Sequence, residues 1–89
     1  MAIIMISDIE GQTAESYERV LELVQPHYPE AAGFLMHSGY PTETGWRVVE
    51  LWESREEAGR FFAQHVAPNL PKGIHPKAKF EPLHTLVQR

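Results

Sequence analysis

Apolar and polar positions along the chain change period five times, and each change marks an element. Residues 3–6, Ile-Ile-Met-Ile, form a short, β-branched apolar run closed by Ser7 and Asp8, which predicts a buried strand. Gly11 and Gln12 break the run, Thr13 is a good N-cap, and Glu15 places a carboxylate in the first turn of a helix. Ala14, Tyr17, Val20, Leu21 and Val24 recur there at helical spacing, with Glu15, Glu18, Arg19 and Glu22 filling most of the remaining surface. Pro26 and Pro29 end that helix. Residues 32–40 and 45–53 read as two strands, and the polar stretch Pro41-Thr42-Glu43-Thr44 between them makes the pair a hairpin. Ser54-Arg55-Glu56-Glu57 has the form of a capping box, opening a second helix that carries Ala58, Phe61, Phe62, His65 and Val66 inward and stops before Pro68. Residues 69–78, with two prolines and a glycine, predict a loop. Residues 79–87 alternate as a fourth strand, in which Pro82 marks an edge or a bulge.

The order strand, helix, strand, strand, helix, strand predicts an α+β, ferredoxin-like β-α-β-β-α-β domain over residues 1–89, a four-stranded antiparallel sheet with both helices on one face. Alternation then sorts the hairpin. Joining Tyr40 to Gly45 as a pair sets His37 opposite Val48, Leu35 opposite Glu50 and Gly33 opposite Trp52. In that register Phe34, Met36, Val49 and Leu51 make an apolar patch suited to lie under the helices. The other face then carries His37, Glu50, Trp46 and Trp52. Two tryptophans on an uncovered sheet form an apolar patch of the kind that marks an interface, so the expectation is that this face packs against a second copy.

Composition narrows the function classes. The 89 residues are 43% hydrophobic and 22% charged, a globular balance. A chain of this size buries only about 60–65% of its unfolded surface, so its core benefits from a partner. The absence of cysteine excludes disulfides, a thiolate nucleophile, iron–sulfur clusters and cysteine-based zinc sites. A net charge of −4, with Arg47, Lys72, Lys77 and Lys79 scattered, argues against nucleic acid as a partner. No apolar run reaches the roughly 18 residues of a membrane span, and residues 1–6 lack the basic stretch of a signal peptide. A cytoplasmic protein that does not engage membranes is the expectation. There is no phosphate-cradling glycine loop and no serine nucleophile elbow.

Five histidines in so short a chain carry the candidate chemistry. His37, on an apolar strand, is the first choice for a base or for orienting a substrate oxygen near neutral pH. Glu50, between Val49 and Leu51, is expected to be at least half buried and therefore paired, with an inward histidine, with Arg47 or with a basic group of a partner chain. His65 on the second helix and His84 in the last strand are secondary candidates. Together His37, Glu50 and His84 spell a two-histidine, one-carboxylate set, but no local ligand motif accompanies it and no metal site is assigned. Trp46, Trp52, Phe61, Phe62 and Tyr17 supply aromatic surface for a flat apolar ligand, although packing alone accounts for most such residues. His27 and His75, beside prolines, are expected at the surface.

Three segments together resemble a known superfamily: Gly33-Phe34-Leu35-Met36-His37, then Gly45-Trp46-Arg47-Val48-Val49-Glu50-Leu51-Trp52-Glu53-Ser54, then a helix with Phe61-Phe62 leaving through Val66-Ala67-Pro68. The chain is similar over nearly its whole length to the dimeric α/β-barrel superfamily, and within it to small antibiotic-biosynthesis-monooxygenase-like proteins. The resemblance implies a homodimer whose sheets pair into a barrel, often with exchange of the last strand, and a cavity between sheet and helices. It implies as function a cofactor-independent monooxygenase or isomerase acting on a small aromatic or polyketide-like substrate. His37 and Glu50 would be its catalytic residues, and Trp46, Trp52, Phe61, Phe62, His65, His84 and Tyr17 would hold the substrate. The alternative within the same superfamily is a non-catalytic dimer that binds a small molecule or haem. Haem-degrading members use a set of asparagine, tryptophan and helical histidine, and here the only asparagine, Asn69, lies in the late loop.

Overall fold

A computed structural model describes residues 2–89. Its elements follow the expected order: β1 (Ile3–Glu10), α1 (Ala14–Val24), β2 (Phe34–Pro41), β3 (Gly45–Trp52), α2 (Arg55–Phe61) and β4 (Lys77–Pro82). The four strands form one sheet in the order β2-β3-β1-β4, and every neighbouring pair is antiparallel. This is the α+β, ferredoxin-like arrangement.

Local chemistry explains the helix ends. Thr13 and Ser16 form a reciprocal box, each side chain bonding the other residue's backbone N–H. At α2 the box is only half made. Ser54 Oγ accepts from the Glu57 N–H, while the Glu57 carboxylate accepts from the Ser54 hydroxyl instead of reaching the backbone. Gly33 explains part of this, because it enters β2 with φ +82° and leaves bare the space that the Glu57 carboxylate occupies. Pro26 and Pro29 do not stop the chain turning. They tighten it into a 3-10 segment, Gln25–Glu30, which continues directly from α1.

Three expectations from the sequence are corrected. The hairpin register is two residues further on, with His37 opposite Glu50, Gly39 opposite Val48 and Pro41 opposite Trp46. A shift of two preserves the faces, but an irregularity between Phe34 and Met36 turns Phe34 over, so that it lies opposite Trp52. The last strand ends at Pro82, opposite Ile3 where β1 begins, and one more backbone bond follows from the Leu83 N–H to the Ala2 carbonyl. Residues 83–89, His84 included, lie outside the sheet.

The largest correction concerns which face the helices cover. They pack on the tryptophan face: Trp52 is fully buried with Val24, Tyr28, Ala58 and Phe61, and Trp46 packs with Met5, Ile9, Val48 and Tyr17. The open face instead carries half-buried Ile4, Ile6, Met36 and Val49, with Leu51 beside them already buried, and ends in an Arg47–Asp8 ion pair of 2.6 Å. The Asp8 carboxyl is lowered by its hydrogen bond from Arg47, and the guanidinium is raised by the same bond. Strand alternation separates two faces without saying which is covered. The handedness of the two strand–helix–strand crossovers decides that, and both faces of this sheet are apolar enough to accept either role.

Candidate functional site

Between the sheet and the helices lies a small cavity of about 70 Å³. Apolar side chains from every layer wall it: Met5 and Ile9 from β1, Val20, Leu21 and Val24 from α1, and Ala58 and Phe61 from α2. Into this apolar wall the fold sets a small polar group of His37, Glu50, Tyr17 and Tyr28, with Ser7 and Gln12 nearby on the cavity lining.

The polar group is a continuous chain of bonds. His37 Nδ1 lies 2.6 Å from Glu50 Oε2, and Tyr17 Oη lies 2.5 Å from His37 Nε2. A carboxylate only accepts, so Nδ1 carries the imidazole hydrogen and donates it to Glu50. Nε2 is then the acceptor, and the Tyr17 hydroxyl donates to it. Glu50 receives two further hydrogens, from Tyr28 Oη at 2.7 Å and from Trp52 Nε1 at 2.8 Å. Three donors thus hold the carboxylate of a side chain that is only 8% exposed, which is how a buried charge is kept. Burial, followed by the negative charge of Glu50, raises the phenols of both Tyr17 and Tyr28 above the ordinary tyrosine value. Both are therefore neutral hydroxyl donors at neutral pH.

Strand pairing and helix phase put these groups together. His37 and Glu50 are direct cross-strand partners on β2 and β3. Tyr17 and Tyr28 occupy one stripe that runs from α1 into the 3-10 segment, with Leu21 and Val24 between them. The phenol of Tyr17 packs against the sheet: Trp46 stacks on it at 4.7 Å between ring centres, and its hydroxyl lies over Gly39. A Cβ on residue 39 would come within 2.6 Å of Tyr17 Oη, so the strand must be bare there. Trp46 Nε1 is buried without a hydrogen-bond partner beside the same glycine.

Of the residues singled out in the sequence, His37, Glu50, Tyr17, Phe61 and Phe62 line the cavity. Trp46 and Trp52 stand behind it, one stacked on Tyr17 and the other bonded to Glu50, and they do not line it. Neither do His65 and His84. After Phe61 the helix widens into a π-helical turn, Phe62–Val66. The i→i+5 spacing brings Val66 under Phe61 and rotates His65 off the cavity stripe. His65 instead stacks on His27 at 4.0 Å. His84 is exposed beyond β4, and Arg47, an expected partner for Glu50, is committed to Asp8 on the opposite face. Among the described residues no group of three or more histidine and carboxylate side chains is placed to hold a metal ion. Sequence reasoning misses Tyr28 because it sits between two prolines, although its spacing from Tyr17, Leu21 and Val24 continues the helical stripe. Gln12, buried just before the helix cap, has no signal in the sequence.

The chain is thus a ferredoxin-like α+β domain with a cavity between the helices and the covered face of its sheet, where a few polar groups converge in an apolar wall. Comparison with known proteins gives that fold its neighbours. No family model matches the chain, and no curated protein matches it. Among solved structures it is similar to SnoaB, a cofactor-independent oxygenase from Streptomyces nogalater, with 11% identity and a TM-score of 0.74 over 99% of this chain and 98% of that one. A candidate antibiotic biosynthesis monooxygenase from Bordetella bronchiseptica aligns at 14% identity and a TM-score of 0.63, covering 94% of this chain and 98% of that one. A candidate monooxygenase from Shewanella loihica aligns at 15% identity and a TM-score of 0.61, covering 96% of each chain. The chain therefore has the fold of the antibiotic-biosynthesis-monooxygenase-like proteins, as the sequence resemblance implied. At these identities the likeness speaks for fold alone. No helix among the described residues is long and apolar enough to cross a membrane.

Proposed function

We infer that this chain is a cofactor-independent oxygenase for a small aromatic or polyketide-like substrate with an acidic C–H or O–H. The observation that carries the reading is the Glu50–His37–Tyr17 chain of bonds inside an otherwise apolar cavity. Glu50 holds the imidazole in the tautomer whose Nε2 accepts a proton, and it offsets the charge that forms when it does. The apolar wall removes water, which strengthens that electrostatic help. Phe61 and Phe62 present rings to a flat ligand.

In the reaction His37 is the final acceptor of the substrate's proton, and the substrate carbanion reduces oxygen itself. A C–O bond forms to give a hydroperoxide, with the proton returned from His37. Its O–O bond then breaks as water leaves and a carbonyl forms, so one methylene and one dioxygen yield one carbonyl and one water. The electrons come from the substrate throughout. A haem-binding reading is less well supported, because the helical histidine it would use, His65, stacks on His27 away from the cavity.

A second copy of the chain completes this reading, covering the open face of Ile4, Ile6, Met36 and Val49. The functional test is oxygen uptake and product formation with a panel of anthrones and hydroquinones. Turnover is expected in the wild type and is lost in His37→Ala, which still binds ligand. Turnover that survives in His37→Ala removes the role given to that residue. Ligand binding without oxygen uptake by the wild type would instead make the protein a binding module.

A further inference from the structure

Resting on that reading, we propose that the substrate's proton does not pass directly to His37 but through Tyr17, in a Tyr17–His37–Glu50 relay whose catalytic residue is the phenol. Both nitrogens of the imidazole are occupied, Nδ1 by Glu50 at 2.6 Å and Nε2 by Tyr17 at 2.5 Å. No free lone pair of His37 is left for a substrate. The outermost acceptor in the chain of bonds is Tyr17 Oη, which gives its hydrogen to His37 and keeps its lone pairs.

The phenol is also held in place. Trp46 stacks on one side of it, and bare Gly39 lies where a side chain would otherwise push the hydroxyl away. Tyr17 lines the cavity. A tyrosine that only filled space would not need its oxygen fitted over a glycine and aimed at an imidazole nitrogen. The other end of the relay is equally fixed, since Tyr28 and Trp52 occupy the remaining acceptor positions of Glu50 that face them.

The step balances. As a ligand's O–H or enolisable C–H bond breaks, its proton forms a new bond to Tyr17 Oη. The original Tyr17 O–H bond breaks in the same event, and that proton forms a bond to His37 Nε2. The electron pair stays on the ligand as a phenolate or carbanion, Tyr17 ends neutral, and the imidazolium rests against the Glu50 carboxylate. No oxidant or reductant takes part in this step. Substrates are thereby narrowed to molecules whose acidic hydrogen reaches Tyr17, and His37 becomes a residue that acts through it.

The test separates this step from oxidation by using a ligand that oxygen does not consume. Quinizarin, a hydroxyanthraquinone, changes from orange to purple when it ionises. Wild-type protein is expected to bind it and turn it purple at a pH where the free dye stays orange. Tyr17→Phe is expected to bind the dye and leave it orange, with the ionised fraction at least about tenfold lower, one unit of apparent pKa. His37→Ala is expected to do the same. Should Tyr17→Phe fail to fold, Gly39→Ala keeps every group of the relay and displaces the phenol together with the Trp46 indole stacked on it, with the same loss expected. A purple complex with folded Tyr17→Phe would mean that His37 takes the proton unaided, overturning the relay and leaving the oxygenase reading in place. An orange wild-type complex would overturn the relay as well, with oxygen uptake deciding the oxygenase reading separately. No binding by the wild type would overturn the relay for such ligands, with oxygen uptake again deciding the oxygenase reading.

Discussion

Replacing Glu50 by alanine tests whether the carboxylate is the structural anchor of the site. The side chain is 8% exposed and accepts from three donors, His37 Nδ1, Tyr28 Oη and Trp52 Nε1. Alanine leaves Trp52 Nε1 without a partner and leaves His37 Nδ1 and Tyr28 Oη, 3.2 Å apart, only each other. Each orphaned buried donor costs about 1–3 kcal/mol, and removing one member of a buried pair costs about 3–5 kcal/mol, which is the loss expected here. A chain of 89 residues has roughly 4–13 kcal/mol of stability in total, so the variant stands close to unfolding. Glu50→Gln keeps the shape and one carbonyl oxygen. Its amide nitrogen can turn toward Trp52 and lose a single bond, for about 1–2 kcal/mol. Urea titration followed by tryptophan fluorescence, at one fixed protein concentration, measures both. An alanine variant within about 1 kcal/mol of wild type, or a glutamine variant as unstable as the alanine one, would refute the three-donor account.

The same geometry sets three further outcomes. Tyr17 and Tyr28 both have phenols raised above 10.0, so their contribution to stability is complete below that pH and is lost as pH climbs toward the folded values. Stability measured by urea is expected to fall with rising pH on the alkaline side, and Tyr28→Phe is expected to make that fall shallower; an unchanged slope would count against it. Gly33→Ala is expected to cost more than about 1 kcal/mol, because φ is +82° and the new Cβ would stand against the Glu57 carboxylate; a thermal melt matching wild type would contradict this. Val49→Lys on the open face is expected to leave a 10.2 kDa species in light scattering where the wild type gives twice that mass, and equal masses for the two would remove the proposed dimer face.

The division of labour between sequence and tertiary structure is visible residue by residue. Periods of two and of 3.6 residues, punctuated by Thr13, Ser54 and the prolines, are enough to order the elements and so to define the ferredoxin-like class. Burial of Glu50 is legible too, since a carboxylate flanked by Val49 and Leu51 inside a strand has no exposed place to go. Its partner is not. The His37–Glu50 pairing depends on a hairpin register two residues away from the one the turn suggests, and the turn's geometry is not written in residue types. The face beneath the helices is equally hidden, because both faces are apolar and crossover handedness, a property of the whole chain path, chooses between them. His65 leaves the cavity through a single π turn that helical periodicity cannot anticipate. Tyr28 enters it because Pro26 and Pro29 tighten the backbone without ending its rotation. Composition and spacing thus determine which elements form and which charged group must find a partner. Only the packed chain decides who that partner is, since the choice is made by register, handedness and helix phase, which depend on contacts between segments far apart in sequence.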